Sequence, residues 1–164
     1  MPEKSLEYVF VDELGDMLDA ETRIIHALPK LIKNTASEQL RDDLGKHLEQ
    51  SREHIVRLER AFELMGEPPR RKQCKAMEGL IRESDDLLSE SSQTSVRDTA
   101  ILAAAQKIEH YEIATYTTLR EWAQQMGQVE VSALLQQTLD EEVAGDAMMS
   151  HLALTLNNEA AHVE

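Results

Sequence analysis

Cysteine is nearly missing from this chain of 164 residues, where Cys74 is the only one. An intramolecular disulfide framework and a thiolate-rich zinc site are both excluded. Proline (4) and glycine (6) are scarce, and aromatics make up 4%. Sandwiches and barrels need more turn residues and aromatics, so an all-β reading fails. Positive charge is short as well: 17 Lys and Arg face 31 Asp and Glu, a formal net charge of −14. Phosphate contacts need a basic face, so nucleic acid is not an expected partner; cations are. No apolar run approaches the roughly 20 residues that span a bilayer, so no membrane partner is expected. The opening MPEKSLEYVF lacks the basic-then-apolar layout of a signal peptide. A cytoplasmic location is the expectation, and a free thiol agrees with it.

What is present is apolar content in helix-forming company. Hydrophobic residues reach 41%, too many for acidic disorder, and the length suits one domain with a real core. Ala, Leu, Glu, Gln and Arg dominate, all strong helix formers. An all-α fold follows. The first apolar stripe runs Phe10/Val11, Leu14, Met17/Leu18, Ile24/Ile25, Leu28, Leu31/Ile32 at helical spacing. Pro29 lies inside it and predicts a kink. Thr35-Ala-Ser-Glu38 reads as a capping box that starts a second helix, carrying Leu40, Leu44, Leu48, Ile55, Leu58, Phe62 and Met65. Gly66 with Pro68-Pro69 stops it.

A basic connector (PPRRKQCK), a short amphipathic helix (MEGLIRESDDLLSE) and a polar break over Ser89–Thr94 follow. Ser95-Val-Arg-Asp98 caps a third long helix, which Met126-Gly127 ends, and a fourth long helix closes the chain. Short links make each long pair an antiparallel hairpin, about residues 3–66 and 95–157, joined by a crossover over about 67–94. Four long helices with one long crossover are the ferritin-like architecture.

The informative residues interrupt the stripes. Glu21 occupies the centre of the first helix's apolar face, and Glu112 that of the third long helix. The fourth carries Glu142 and Asp146 there; the second has Ser51, flanked by His47 and His54, with Gln50 further round. A single such Glu usually sits at a bundle end or snorkels, and a single His is usually a hydrogen-bonded core residue. Glu109, beside its stripe, could simply be solvated, and Tyr111 and Tyr116 read as packing residues. Comparing levels changes this. Glu21 lies 15 residues before the first turn, which places position 51 beside it; Glu112 lies 15 before Gly127, which places Glu142 beside it. Several carboxylates cannot share a core uncompensated, because desolvation and mutual repulsion both oppose them. No Lys or Arg occupies the stripe centres, so metal binding is the expected relief.

The segments DELGDMLDAETRIIHALPKL, HLEQSREHIVRLE, AMEGLI, AAAQKIEHYEIATYTTLR and LLQQTLDEE resemble the YciE/YciF family of ferritin-like bacterial proteins. The likeness covers nearly the whole chain, up to about residue 156. It implies a ferritin-like antiparallel four-helix bundle, a homodimer, a di-iron-type site and a link to bacterial stress responses. The wider ferritin-like pattern places a Glu on each of two helices and Glu-x-x-His on each of the other two. Glu21 and Glu112 match the single glutamates. Glu142 is followed at the third position by Gly145, with Asp146 one further, and the second helix offers His47-x-x-Gln50 or Ser51-x-x-His54. Glu109-x-x-Glu112 resembles the paired glutamates of rubrerythrin-like sites.

The expected metal ligands are therefore Glu21, His47, Gln50, His54, Glu109, Glu112, Glu142 and Asp146. Two Fe ions are expected, with Mn or Zn also suited to such donors. Glu112 and Glu142 are the candidate bridges. His47 is expected to outrank His54 as a ligand, being nearer the apolar centre. Two functions follow: a redox metalloprotein acting on Fe(II), dioxygen or peroxide, or a non-catalytic dimeric stress or binding protein with a structural metal. A metal-free interaction module would leave the carboxylates unexplained.

Overall fold

The computed structural model describes residues 4–91 and 94–163, and among these the chain forms helices and no strands. They are α1 (Leu6–Asn34), α2 (Glu38–Leu64), α3 (Lys75–Glu90), α4 (Thr94–Gln125) and α5 (Val129–Ala161). Glu3, the expected start of the first hairpin, and Ser92 and Gln93 of the expected polar break lie outside the described residues. α1 continues through Pro29 to Asn34, and α5 runs past the end near residue 157 that its last apolar residue suggests.

Two starts differ from the sequence reading. Thr35 does not cap α2; it closes α1, donating its hydroxyl to the Leu31 carbonyl at 2.8 Å. Ser37 is the cap, accepting from Leu40 N at 3.3 Å. The Ser95–Asp98 segment likewise does not cap α4, which is already helical at Thr94. Asp98 lies one turn inside it and serves another element: its oxygens accept from Ala36 N (2.9 Å) and Ser37 N (2.7 Å). A carboxylate from α4 thus satisfies the amides of the α1–α2 turn, which no local side chain reaches. Asp98→Ala is expected to destabilise the fold by about 1–3 kcal/mol, read by chemical denaturation, because two amides lose their acceptor. The two stops agree with expectation. Gly66 and Gly127 both have φ of 73°, and the next amides reach back to Phe62 O (3.0 Å) and Ala123 O (2.9 Å).

The four long helices pack in a ring in the order α1, α2, α5, α4. Contacts across α4 and α5 spread symmetrically from their turn: Arg120 meets Gln136, Gln106 meets Ser150, and Thr99 meets Leu156. Each hairpin is antiparallel. The end of α1 lies against the start of α4 through Asp98, so those two also run in opposite directions. The crossover makes this possible by returning the chain alongside α1: Lys72 reaches Asp12, Glu78 faces Arg23, and Asp85 meets Lys30. Asp19, 4% exposed, anchors its start, accepting from Arg23, Arg71 and Cys74 N. Burial pushes the Asp19 carboxyl up, but these donors hold it below its ordinary value. Apolar residues of all five helices fill the interior, interrupted at mid-length by a polar cluster.

Candidate metal centre

Each long helix sends polar side chains inward at one level: Glu21 from α1, His47, Ser51 and His54 from α2, Glu109, Glu112 and Tyr116 from α4, and Glu142 from α5. All are buried. The spacing explains the convergence. Three- and four-residue steps keep Glu109, Glu112 and Tyr116 on one face of α4, and seven residues return His54 to the face of His47 two turns on. Glu109, which could have been solvated, is only 2% exposed.

Ligand atoms of Glu21, His54, Glu112 and Glu142 lie within 4.8 Å of one another. So do those of His47, Glu109, Glu112 and Glu142. Glu112 and Glu142 belong to both groups, and the two histidines stand at opposite ends. This corrects the reason for ranking His47 above His54: His54 is 0% exposed and no less central. Its Nδ1 is 3.1 Å from Glu21 Oε1 and 3.1 Å from Glu142 Oε1, while Nε2 is 2.9 Å from Glu141 Oε2. His47 approaches Glu109 with Nδ1 (3.1 Å) and Glu112 with Nε2 (3.2 Å), yet neither nitrogen has hydrogen-bond geometry.

Two expected ligands lie apart from these groups. Asp146 is turned to His110, whose Nε2 is 2.8 Å from Oδ1 on the outer side of the α4–α5 pair. Gln50 is half-buried and lines a hollow beside His47. Three contributors were not recognisable as such from sequence. Tyr116 donates to Glu21 Oε1 at 2.5 Å, so it does more than pack. Glu141 accepts from the two terminal guanidinium nitrogens of Arg57, each at 2.8 Å, and closes over His54. Finding that pair would require knowing that α5 neighbours α2, which no hairpin spacing reveals.

The electrostatics are those of a site short of positive charge. Burial, then the charges of Glu142, Glu21 and Glu109, hold the Glu112 carboxyl well above its ordinary range. Burial and Glu109 do the same to Glu142. Burial also raises Glu21, but the His54 ring and the donors around it more than reverse this, and the carboxyl lies low. His54 answers in kind: burial lowers it, while Glu21 and Glu141 raise it above its ordinary value. Seven buried atoms of the two groups have no hydrogen-bond partner, including both His47 nitrogens and both Glu112 oxygens. Unpaired buried polar atoms are costly, and a cation bound among them would satisfy several at once. The donor set therefore fits a metal ion, and the cluster could hold one.

An all-helical chain with a buried Glu/His cluster suited to a metal defines the class of this protein. The chain belongs to the family described as "Domain of unknown function (DUF892)", whose model matches residues 5–162. It is 40% identical to Protein YciF of Escherichia coli (strain K12) over 159 residues, 96% of each chain. The crystal structure of the E. coli stress protein YciF superposes with a TM-score of 0.91 at 39% identity, covering 95% of this chain and 99% of that one. YcfI from Rhodopseudomonas palustris gives 0.87 at 37%, covering 89% and 93%. A protein from Xanthomonas campestris shares the fold, at 0.73 and 18% identity, over 96% and 99%. No described helix is long and apolar enough to cross a membrane.

Proposed function

We propose that this chain is a ferritin-like four-helix bundle that binds two divalent metal ions, iron foremost, between its helices. One observation carries the reading: the two donor groups share Glu112 and Glu142 and are otherwise separate. That layout would suit a dinuclear centre: Glu21 and His54 would hold one ion, His47 and Glu109 the other, and Glu112 and Glu142 would serve both. Charge supports the number. The four carboxylates of the two groups neutralise two divalent ions when both imidazoles are neutral. Three carboxylates and one imidazole per ion suit iron or manganese and tolerate zinc.

Two iron ions held this way would supply one-electron redox chemistry toward dioxygen or peroxide. The chain's own residues hold the ligands in place. Tyr116 donates to Glu21, and the Arg57–Glu141 pair orients the far nitrogen of His54 and closes that end to water. Orienting partners of this kind fix the tautomer and direction of a ligating ring. The same reading includes a cytoplasmic location and, as the family resemblance implies, a homodimer, and it extends to this chain the stress role named for E. coli YciF.

Anaerobic Fe(II) titration of metal-free protein, followed by air or peroxide, tests the function. Saturation at about two ions per chain and oxygen uptake coupled to a new Fe(III) absorption are expected. A single ion bound, or Fe(II) that stays unoxidised, would instead favour the structural role.

A further inference from the structure

We propose that a hollow beside Gly145, between α2 and α5, is the route by which divalent cations reach the buried cluster, with Glu109 the carboxylate that receives them. The inference rests on the metal-centre reading and concerns how that centre is filled.

The hollow is lined by Asp43, Lys46, His47, Glu109, Gly145 and Met148, among others. It offers about 10 Å3 to water, the room of about one molecule. Gly145 creates it. A Cβ on that residue would stand 3.1 Å from Glu109 Oε1, closer than a carboxylate tolerates without moving. At its inner end lie two buried groups with unpaired atoms, Glu109 Oε2 and both nitrogens of His47. These are members of one donor group, so an ion arriving here meets its ligands directly. Asp43 at the wall favours a cation; Lys46 opposes it, but its head is carried on an exposed, flexible stem. Met148, 39% exposed, is an unbranched side chain that yields easily at the mouth.

The other end of the cluster is unsuited to entry. There Glu141 and Arg57 form a two-point ion pair across His54, and the guanidinium places positive charge in a cation's path. Both features lie on the α2–α5 face, so the asymmetry comes from their chemistry.

Stopped-flow mixing of metal-free protein with Co2+, read by its ligand-field absorption, measures the route, and elemental analysis measures the final content. Gly145→Ala is expected to slow uptake about tenfold with final content unchanged, because the added methyl meets Glu109 and narrows the hollow. Alanine is the better helix former, so folding is not at risk. Met148→Trp, which blocks the mouth without touching Glu109, should slow uptake as well. Gly79→Ala makes the same chemical change where nothing lies within 4 Å, and should leave the rate alone. Wild-type uptake that neither Gly145→Ala nor Met148→Trp slows would overturn the route and leave the metal centre standing. So would a Gly145→Ala protein that loses final content at an undiminished initial rate. A wild type that takes up no Co2+ would overturn the metal centre itself, and the route with it.

Discussion

Glu112→Ala and Glu142→Ala are each expected to abolish binding of both metal ions, because each residue belongs to both donor groups. The loss in affinity should exceed the about 10–100-fold typical of removing an orienting partner, since a donor common to both groups is removed outright. Glu21→Ala and Glu109→Ala each touch one group and should retain one ion. Glu49→Ala and Glu53→Ala, on the exposed face of α2, should retain two. Elemental analysis of protein purified without chelators separates the three outcomes, with circular dichroism to show that the helices persist. Equal metal content in all six variants would remove the site from these residues. Graded loss across Glu21, Glu109, Glu112 and Glu142, without the split into one and two ions, would mean a single ion held by all four.

Removing the metal is expected to lower the melting temperature, and to do so more strongly as pH rises. An ion present at about a hundredfold over its dissociation constant contributes about 2.7 kcal/mol. For a chain of this length that corresponds to about 5–10 °C per ion. The pH dependence follows from the direction of each shift. Glu112 and Glu142 are held above their ordinary value, so their contribution is greatest at low pH and is lost as pH climbs through the raised values. His54, also raised, contributes fully below its ordinary 6.5 and loses this on the same climb. Glu21 and Glu141 are held low, so their contribution is present above the ordinary 4.5 and lost on acidification. Metal-free protein should therefore be most stable near the ordinary carboxylate value of 4.5 and weaken as pH climbs from there toward alkaline conditions. Metal competes with protons for the same ligands, so the bound form gains as pH rises. Thermal melts with and without chelator, from about pH 6 to about pH 9, should show the gap widening. A melting temperature indifferent to chelator throughout that range would show that the carboxyls are accommodated without any ion.

Much of this protein was determined by local pattern. The five helices follow from apolar spacing, and Gly66 and Gly127 end theirs because the chain there needs a positive φ. Glu21, Glu112 and Glu142 were legible because a carboxylate at the centre of an apolar stripe has no other neighbours than the core. Equal distance from a turn also placed Glu112 beside Glu142. What depends on which helix neighbours which was not legible. Asp98 looked like a cap for its own helix and instead serves the α1–α2 turn. Glu109 lay beside its stripe and was expected as a ligand only through its spacing from Glu112, whereas Asp146 looked central; the rotation of α4 against α5 sends Glu109 inward past Gly145 and Asp146 out to His110. Arg57, Glu141 and Tyr116 join the cluster only through contacts with helices distant in sequence. Periodicity assigns a residue to a face of its own helix, whereas its partner across the interior is set by the packing order and rotation of all four long helices together.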